Sequence, residues 1–404
     1  MKAPVLVAVV ISLAVPTAGQ VAIPSSLSLP EAVNRAMAAN PTLAAARLTG
    51  AINQAGLAVA SERPNPEVTA EFEKETPRQA FGVAVPLELA GKRSKRIAVS
   101  QATIRAGEAE IAATMIQVRT DVRRAYHDVL IAAARLTVSQ ELRDLSQRVR
   151  DAAQARFDAG DVPRLEVLQA GLAVAASENE AAAAEGALAA ARTRFNALLG
   201  QPLDTTQTLS TLLDAGGPVP LDAALNLART ASAELVVLDR RLDEQRAKVT
   251  LAQALKTPDL IPTATLTHDA EPEFTYGWRA GLAVTLPLFA SHKAGVLVEQ
   301  TTLDQLVAQR QAAATRIAGE VTAAAATAEA QRLAYVRYRD VILPQAQQVE
   351  QLAQDSYQLG QTGISALLQA LQASRDLRAR ALDAMTQLQT ALADLERAIG
   401  APLP

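Results

Sequence analysis

An internal repeat limits the folds open to this chain, because two copies of one unit must each bury the same kinds of face. Phe157-Asp-Ala-Gly160 followed by Leu168-Gln-Ala170 recurs as Tyr357-Gln-Leu-Gly360 followed by Leu368-Gln-Ala370. The register holds to Leu199-Gly200-Gln-Pro202 against Ile399-Gly400-Ala-Pro402, and upstream Val83-Ala-Val-Pro86-Leu87 with Lys92 matches Val284-Thr-Leu-Pro287-Leu288 with Lys293. Pro30-Glu-Ala-Val opens one half and Leu221-Asp-Ala-Ala the other. The organisation expected is a leader over residues 1–22, a first repeat over 23–200, a linker over 201–219 and a second repeat over 220–404. Each repeat reads as helix, strand pair, very long helix, turn and helix, with the strand pairs at about 66–87 and 262–287.

Helical spacing of Val33, Met37, Leu43, Leu48 and Ile52 predicts a helix from Ser28 to Ala60 that stops at Pro64-Asn-Pro66. No proline occurs from Lys92 to Phe157, and a helix of that length is about 100 Å long at 1.5 Å per residue. A compact domain cannot hold such an element. Alanine at many seam positions instead lets neighbouring helices approach closely, as in a coiled-coil bundle. Gly160-Asp-Val-Pro163 reverses the chain, glycine taking the left-handed end of one helix and proline opening the next. Pro163 to Leu199 is about half the long helix, so two short helices stacked end to end match one long partner. The second half follows with Pro220 to Lys256, Lys293 to Leu359 and Gly363 to Ile399, and Pro344 is expected to kink or break its long helix.

Strand-like alternation is confined to the segments between helices. Phe274, Tyr276, Trp278, Ala280, Leu282, Val284 and Leu286 alternate with Thr275, Gly277, Arg279, Gly281, Ala283 and Thr285, giving one apolar face with its aromatics at one end. A lipid-facing strand with an interfacial girdle has this pattern. Its partner runs from about Thr263 to His268. In the first half Val68, Ala70 and Phe72 alternate with Glu67, Thr69, Glu71 and Glu73, and Phe81, Val83 and Val85 return the chain, in a hairpin that is short and acidic. Four strands cannot close a barrel and open edges are forbidden in lipid, so other copies must complete it, three copies supplying about twelve strands.

Aromatic residues make up 3% of the chain, and Ala, Leu, Gln, Arg and Glu dominate, as in long packed helices. A net charge of -3 without a basic stripe argues against a nucleic-acid partner. Lys2, the apolar run Val5 to Val15 and the small residues Thr17, Ala18 and Gly19 read as a secretory signal. Beyond it no window is apolar enough for a spanning helix, so any crossing must use strands. Cysteine is absent, which excludes disulfides and thiolate metal sites. His127, His268 and His292 lie apart, without the grouping of a metal centre, and are expected to be solvated or pore-facing. Neither a nucleophile elbow, a phosphate loop nor a dinucleotide fingerprint occurs, so neither catalysis nor a cofactor is expected.

With these residues the chain resembles the TolC-like outer-membrane factors of tripartite efflux systems over nearly its whole mature length. Val85-Pro-Leu-Glu-Leu-Ala-Gly-Lys-Arg93 is most similar to the cobalt-zinc-cadmium (CzcC-like) branch. The resemblance implies a mainly α fold with a small β part: a homotrimer whose long antiparallel helices form an α-helical barrel across the periplasm, beneath a twelve-stranded transmembrane β-barrel in the outer membrane. It also implies a periplasmic adaptor and an inner-membrane transporter as partners. Many relatives carry a lipidated cysteine, absent here. They commonly place an acidic residue in both turns; Glu166 fits the first, but Ala366 stands at the matching place in the second.

A duct needs a polar lumen and a constriction repeated by symmetry. Asp161, Arg164 and Glu166 are the candidates to line or lock the periplasmic mouth, against ordinary helix-end solvation. Gly160, Gly360, Gln361 and Gly363, with flanking Val162 and Ile364, are candidates for the tip surface that meets the adaptor, against pure turn geometry. Glu67, Glu71 and Glu73 would face the barrel lumen if Phe72 faces lipid, and Phe274, Tyr276 and Trp278 would form the lipid-facing girdle. The function expected is passive export of small solutes, possibly heavy-metal cations. A type I secretion duct for polypeptides and a soluble periplasmic coiled-coil scaffold are the alternatives.

Overall fold

The computed structural model describes residues 26–210, 213–270, 272 and 274–402; the leader expected over 1–22 lies outside them. Among the described residues the chain forms nine α-helices and a single four-stranded sheet. The first half runs α1 (Leu29–Ala39), α2 (Pro41–Ser61), β1 (Glu67–Phe72), β2 (Gln79–Ala84), α3 (Lys92–Asp158) and α4 (Arg164–Leu199). The second runs α5 (Leu221–Ala231), α6 (Ala233–Ala254), β3 (Leu260–Ala270), β4 (Phe274–Val284), α7 (Lys293–Arg337), a π-helical turn (Tyr338–Ile342), α8 (Leu343–Gln358) and α9 (Ile364–Ile399).

The opening helix expected from Ser28 to Ala60 is in fact two. Pro41 has no amide to donate and favours the first turn of a helix, so a break precedes it. Asn40 fills the break: its side chain accepts from the amides of Thr42 (2.9 Å) and Leu43 (3.2 Å) and donates to the Leu198 carbonyl (2.9 Å). Pro220 to Lys256 divides in the same way at Ser232. Both breaks receive the end of the closing helix of their own repeat. Gly200 and Gly400 end α4 and α9 in the left-handed conformation, and a Cβ on either would stand 2.3 Å from the Ala39 carbonyl oxygen or 2.2 Å from that of Ala231.

α3 spans 67 residues without interruption, about 100 Å. Its counterpart changes to the π-helical turn just before Pro344 and then continues, so the expected kink or break takes the form of one widened turn. Apolar side chains are buried in clusters strung along the rods. One joins Ala32, Ala36, Val122, Tyr126, Leu188 and Phe195, with the Tyr126 hydroxyl donating to the Leu27 carbonyl at 2.9 Å. Its equivalent joins Ala224, Ala228, Ile317, Val321 and Leu395. Described parts of the connection expected over 201–219 pack against the rods: Leu27 bridges Leu209, and Ala215 is buried.

Two histidines depart from expectation. His127 is buried on α3 against Tyr126, its Nδ1 hydrogen-bonded to the Arg123 carbonyl, because it belongs to the stripe that α3 turns inward. His268 packs on Tyr276, on the apolar side of the sheet.

Two predictions follow from these contacts. Gly200→Ala combines left-handed strain of about 1–2 kcal/mol with a backbone clash, so it is expected to lower the midpoint of helix melting by circular dichroism by several degrees, whereas Gly216→Ala, which meets open space although its φ is also positive, should cost only the strain. Burial lowers the His127 pKa below its ordinary 6.5. The unfolded chain therefore takes up this proton first, and stability present above pH 6.5 is lost as pH falls toward the depressed value, by up to about 1.4 kcal/mol per pH unit. His127→Gln should flatten that acid limb; an unchanged slope would refute the assignment.

Candidate functional site

The sheet is ordered β1-β2-β3-β4 with every neighbour antiparallel. Side chains alternate across it, so register assigns each one to a face. On one face the rows read Phe72, Gln79, His268, Tyr276, then Ala70, Phe81, Leu266, Trp278, then Val68, Val83, Ala264, Ala280. This face is almost wholly apolar and open to its surroundings: Phe72 is 71% exposed, Trp278 82% and Leu282 62%. The opposite face reads Glu71, Ala80, Thr267, Gly277, then Thr69, Gly82, Thr265, Arg279, then Glu67, Ala84, Thr263, Gly281. Carboxylates, hydroxyls and small residues share that side, around a recess of about 290 Å³ lined by Thr69, Glu71, Glu73, Thr265, Thr267 and Arg279.

A soluble sheet would cover the apolar face with helix or a second sheet. Among the described residues nothing covers it. β3 and β4 have 11 residues each, enough for a tilted crossing of a bilayer, while β1 and β2 have six. Phe274, Tyr276 and Trp278 lie on the apolar face, as the alternation requires, and Glu67 and Glu71 on the polar one. Glu73 falls just past β1, its amide donating to the Arg78 carbonyl at 2.9 Å. Arg279 is an addition to the expected acidic lining. Its place on the polar side of an otherwise apolar strand was the signal for it. Among the described residues no helix is long and apolar enough to cross a membrane.

At the other end of the rods lie the two turns, built alike. Gly160 donates to the Phe157 carbonyl (2.9 Å) and Asp161 to that of Arg156 (2.9 Å); Gly360 donates to Tyr357 (3.1 Å) and Gln361 to Ser356 (2.9 Å). Both are Schellman closures, which require the positive φ of Gly160 (84°) and Gly360 (73°). Pro163 and Gly363 then begin α4 and α9. Asp161, Arg164, Gln361 and Gly363 are exposed, and neither Asp161 nor Arg164 makes an ion pair among the described residues.

Glu166 is engaged instead. Tyr357, buried at 1% exposure, donates its hydroxyl to the Glu166 carboxylate at 3.1 Å. Arg156 donates to the Tyr357 carbonyl at 3.1 Å, with its guanidinium 5.0 Å from the centre of the same ring. One side chain of the second repeat is thus held by α3 and α4 of the first, over a core of Leu145, Val149, Ala153, Ala170, Ile364 and Leu367. Burial, then the Glu166 carboxylate, raises the Tyr357 phenol above its usual pKa, so it remains a donor. The signal in the sequence was the one polar difference between the repeats at this position, Phe157 against Tyr357. Tyr357→Phe is expected to cost about 1 kcal/mol and Tyr357→Ala about 3–5 kcal/mol, read by hydrogen exchange of amides 155–170; protection in Tyr357→Phe equal to that of the unchanged protein would exclude the hydroxyl as a tie.

Comparisons with known proteins agree with this geometry. Residues 32–201 match the family described as outer membrane efflux protein. The cobalt-zinc-cadmium resistance protein CzcC of Cupriavidus metallidurans is 26% identical over 383 residues, 93% of this chain and 90% of its own length. The nickel-cobalt-cadmium resistance protein NccC of Alcaligenes xylosoxydans xylosoxydans is 26% identical over 231 residues, 54% of this chain and 49% of its own. In fold the chain is similar to CusC, whose crystal structures concern folding and transmembrane channel formation, at a TM-score of 0.78 and 17% identity, over 96% of this chain and 95% of that one. The match to the outer membrane efflux protein family thus covers the first repeat, and the similarity in fold extends across both.

Proposed function

We propose that the protein is the outer-membrane exit duct of a tripartite efflux system, a homotrimer that passes heavy-metal cations outward. The observation that carries this reading is the two-faced sheet with both of its edges, β1 and β4, unpaired among the described residues. Its apolar face suits hydrocarbon, but a free strand edge there would leave several amides and carbonyls without a partner, at several kcal/mol each. Three copies of a four-stranded sheet make a closed barrel of twelve strands. The rods beneath are long enough to carry the lumen inward across the periplasm.

A passive duct holds no energy source, so an inner-membrane transporter drives it and a periplasmic adaptor joins the two. The exposed turns at Gly160, Asp161, Gly360, Gln361 and Gly363 are the surface we assign to the adaptor. The Tyr357–Glu166 contact supports a mouth that can be held closed, with Asp161 and Arg164 repeated as rings by threefold symmetry. The relatives CzcC and NccC are named for resistance to cobalt, zinc, cadmium and nickel. Carboxylates on the polar face of β1 favour cations in the same sense.

Deleting the gene is expected to raise sensitivity to zinc, cobalt, cadmium or nickel several-fold and to leave secreted polypeptides unaffected. Unchanged metal tolerance with polypeptides retained in the cell would overturn the metal reading in favour of protein export. In planar bilayers Glu71→Gln with Glu73→Gln should reduce the preference for cations over anions; an unaltered reversal potential would remove both residues from the lumen.

A further inference from the structure

The junction where sheet passes into helix is closed on one side of the chain and open on the other. In the first repeat Val85-Pro86-Leu87 runs on past β2 along the root of β3. Val85 donates to the Pro262 carbonyl at 3.1 Å, and Leu87 and Leu260 exchange amide hydrogen bonds of 2.7 and 3.2 Å. Just beneath, Asp259 accepts from the Leu89 amide at 2.9 Å and from Lys92 Nζ at 2.8 Å. Lys92 is buried there, and an ammonium leaves water only where a carboxylate meets it.

The second repeat builds the same parts without the partner. Leu286-Pro287-Leu288 leaves β4 as Val85-Pro86-Leu87 leaves β2. His292 precedes α7 with φ 53° as Gly91 precedes α3 with φ 65°, and Lys293 stands where Lys92 stands. Yet Leu286 and Leu288 are exposed, Phe289 is fully so, and the Leu288 amide turns back on the Leu286 carbonyl at 2.9 Å. Lys293 is exposed and has no ion-pair partner among the described residues.

The missing half lies at the opposite edge of the sheet. Val68 faces Val83 across the first hairpin as Leu260 faces Val284 across the second. Pro66-Glu67-Val68 is therefore the first repeat's version of Pro258-Asp259-Leu260. Glu67 and Val68 are exposed on the free edge of β1, and Glu67 has no cation beside it among the described residues.

We propose that a second copy of this chain completes the open junction: Leu286-Pro287-Leu288 of one copy lies along β1 of the next, Leu288 opposite Val68, and Lys293 forms an ion pair with the next copy's Glu67. The contact repeats between chains the one that Leu87, Leu260, Lys92 and Asp259 make within a chain. One chain cannot make it alone, because β1 and β4 are opposite edges of its sheet. The proposal rests on the closure of copies proposed above and adds its register and its ion pair. It also moves Glu67 from the lumen lining to the seam between subunits, leaving Glu71 and Glu73 to the lumen.

The chain has no cysteine, so a Val68→Cys, Leu288→Cys variant can be oxidised without background. Residues that exchange both hydrogen bonds have Cα atoms about 5.5 Å apart, within disulfide range. Oxidation of the detergent-solubilised protein should link chains into dimers and trimers on non-reducing gels, while either single variant and a Phe72→Cys, Leu288→Cys control stay unlinked. Lys293→Glu and Glu67→Lys should each lower the temperature at which the oligomer dissociates, and the double exchange should recover most of the loss. An oligomeric mass without the crosslink, or without that recovery, would overturn the seam and leave the assembly standing. A monomeric mass for the unmodified protein in detergent would overturn both.

Discussion

Unpaired backbone at the edge of the sheet governs the rest of this molecule. Within hydrocarbon each amide and carbonyl needs a partner from the protein itself. A sheet of four strands, apolar on one side and hydroxyl- and carboxylate-bearing on the other, meets that demand only by joining its like. The apolar face can then meet lipid while water fills the enclosed side. Glycines on the enclosed face serve this geometry: a Cβ at Gly82 would stand 2.5 Å from the Thr69 hydroxyl, and one at Gly281 2.7 Å from that of Thr263. The concave side has room for hydroxyls over hydrogen atoms and for little more.

Much of this arrangement was legible in the amino-acid order, for reasons that differ by element. The long rods could be read because proline is absent from Lys92 to Phe157, and the tight turns because glycine sits where a left-handed residue must. Period-two alternation from Phe274 to Val284 carried the faces of β4. The breaks at Asn40 and Ser232 were harder to see. Apolar residues continue at helical spacing on both sides of each, and the close approach of Gly200 and Gly400 that fits the breaks comes from elements far away in sequence. His127 was misjudged for a related reason, since α3 packs on different neighbours along its length and only its neighbours define an inside.

At the turns, local chemistry and long-range contact were separable. Asp161, Gln361 and the glycines follow from closure rules that act within six residues. The link from Tyr357 to Glu166 and Arg156 joins residues some two hundred positions apart, and nothing short of the paired repeats could have brought them together. The two repeats are thus alike in construction but unequal in partnership, Tyr357 being buried where Phe157 is 37% exposed.

A last inequality concerns stiffness. The first repeat contributes a stave with every turn of the same pitch, whereas the second is interrupted at Tyr338–Ile342 by a π-helical turn, a kind of place where helices bend. Bending effort applied to the free end of such a pair collects at the weaker section, so the compliance of each protomer is concentrated in one of its two staves.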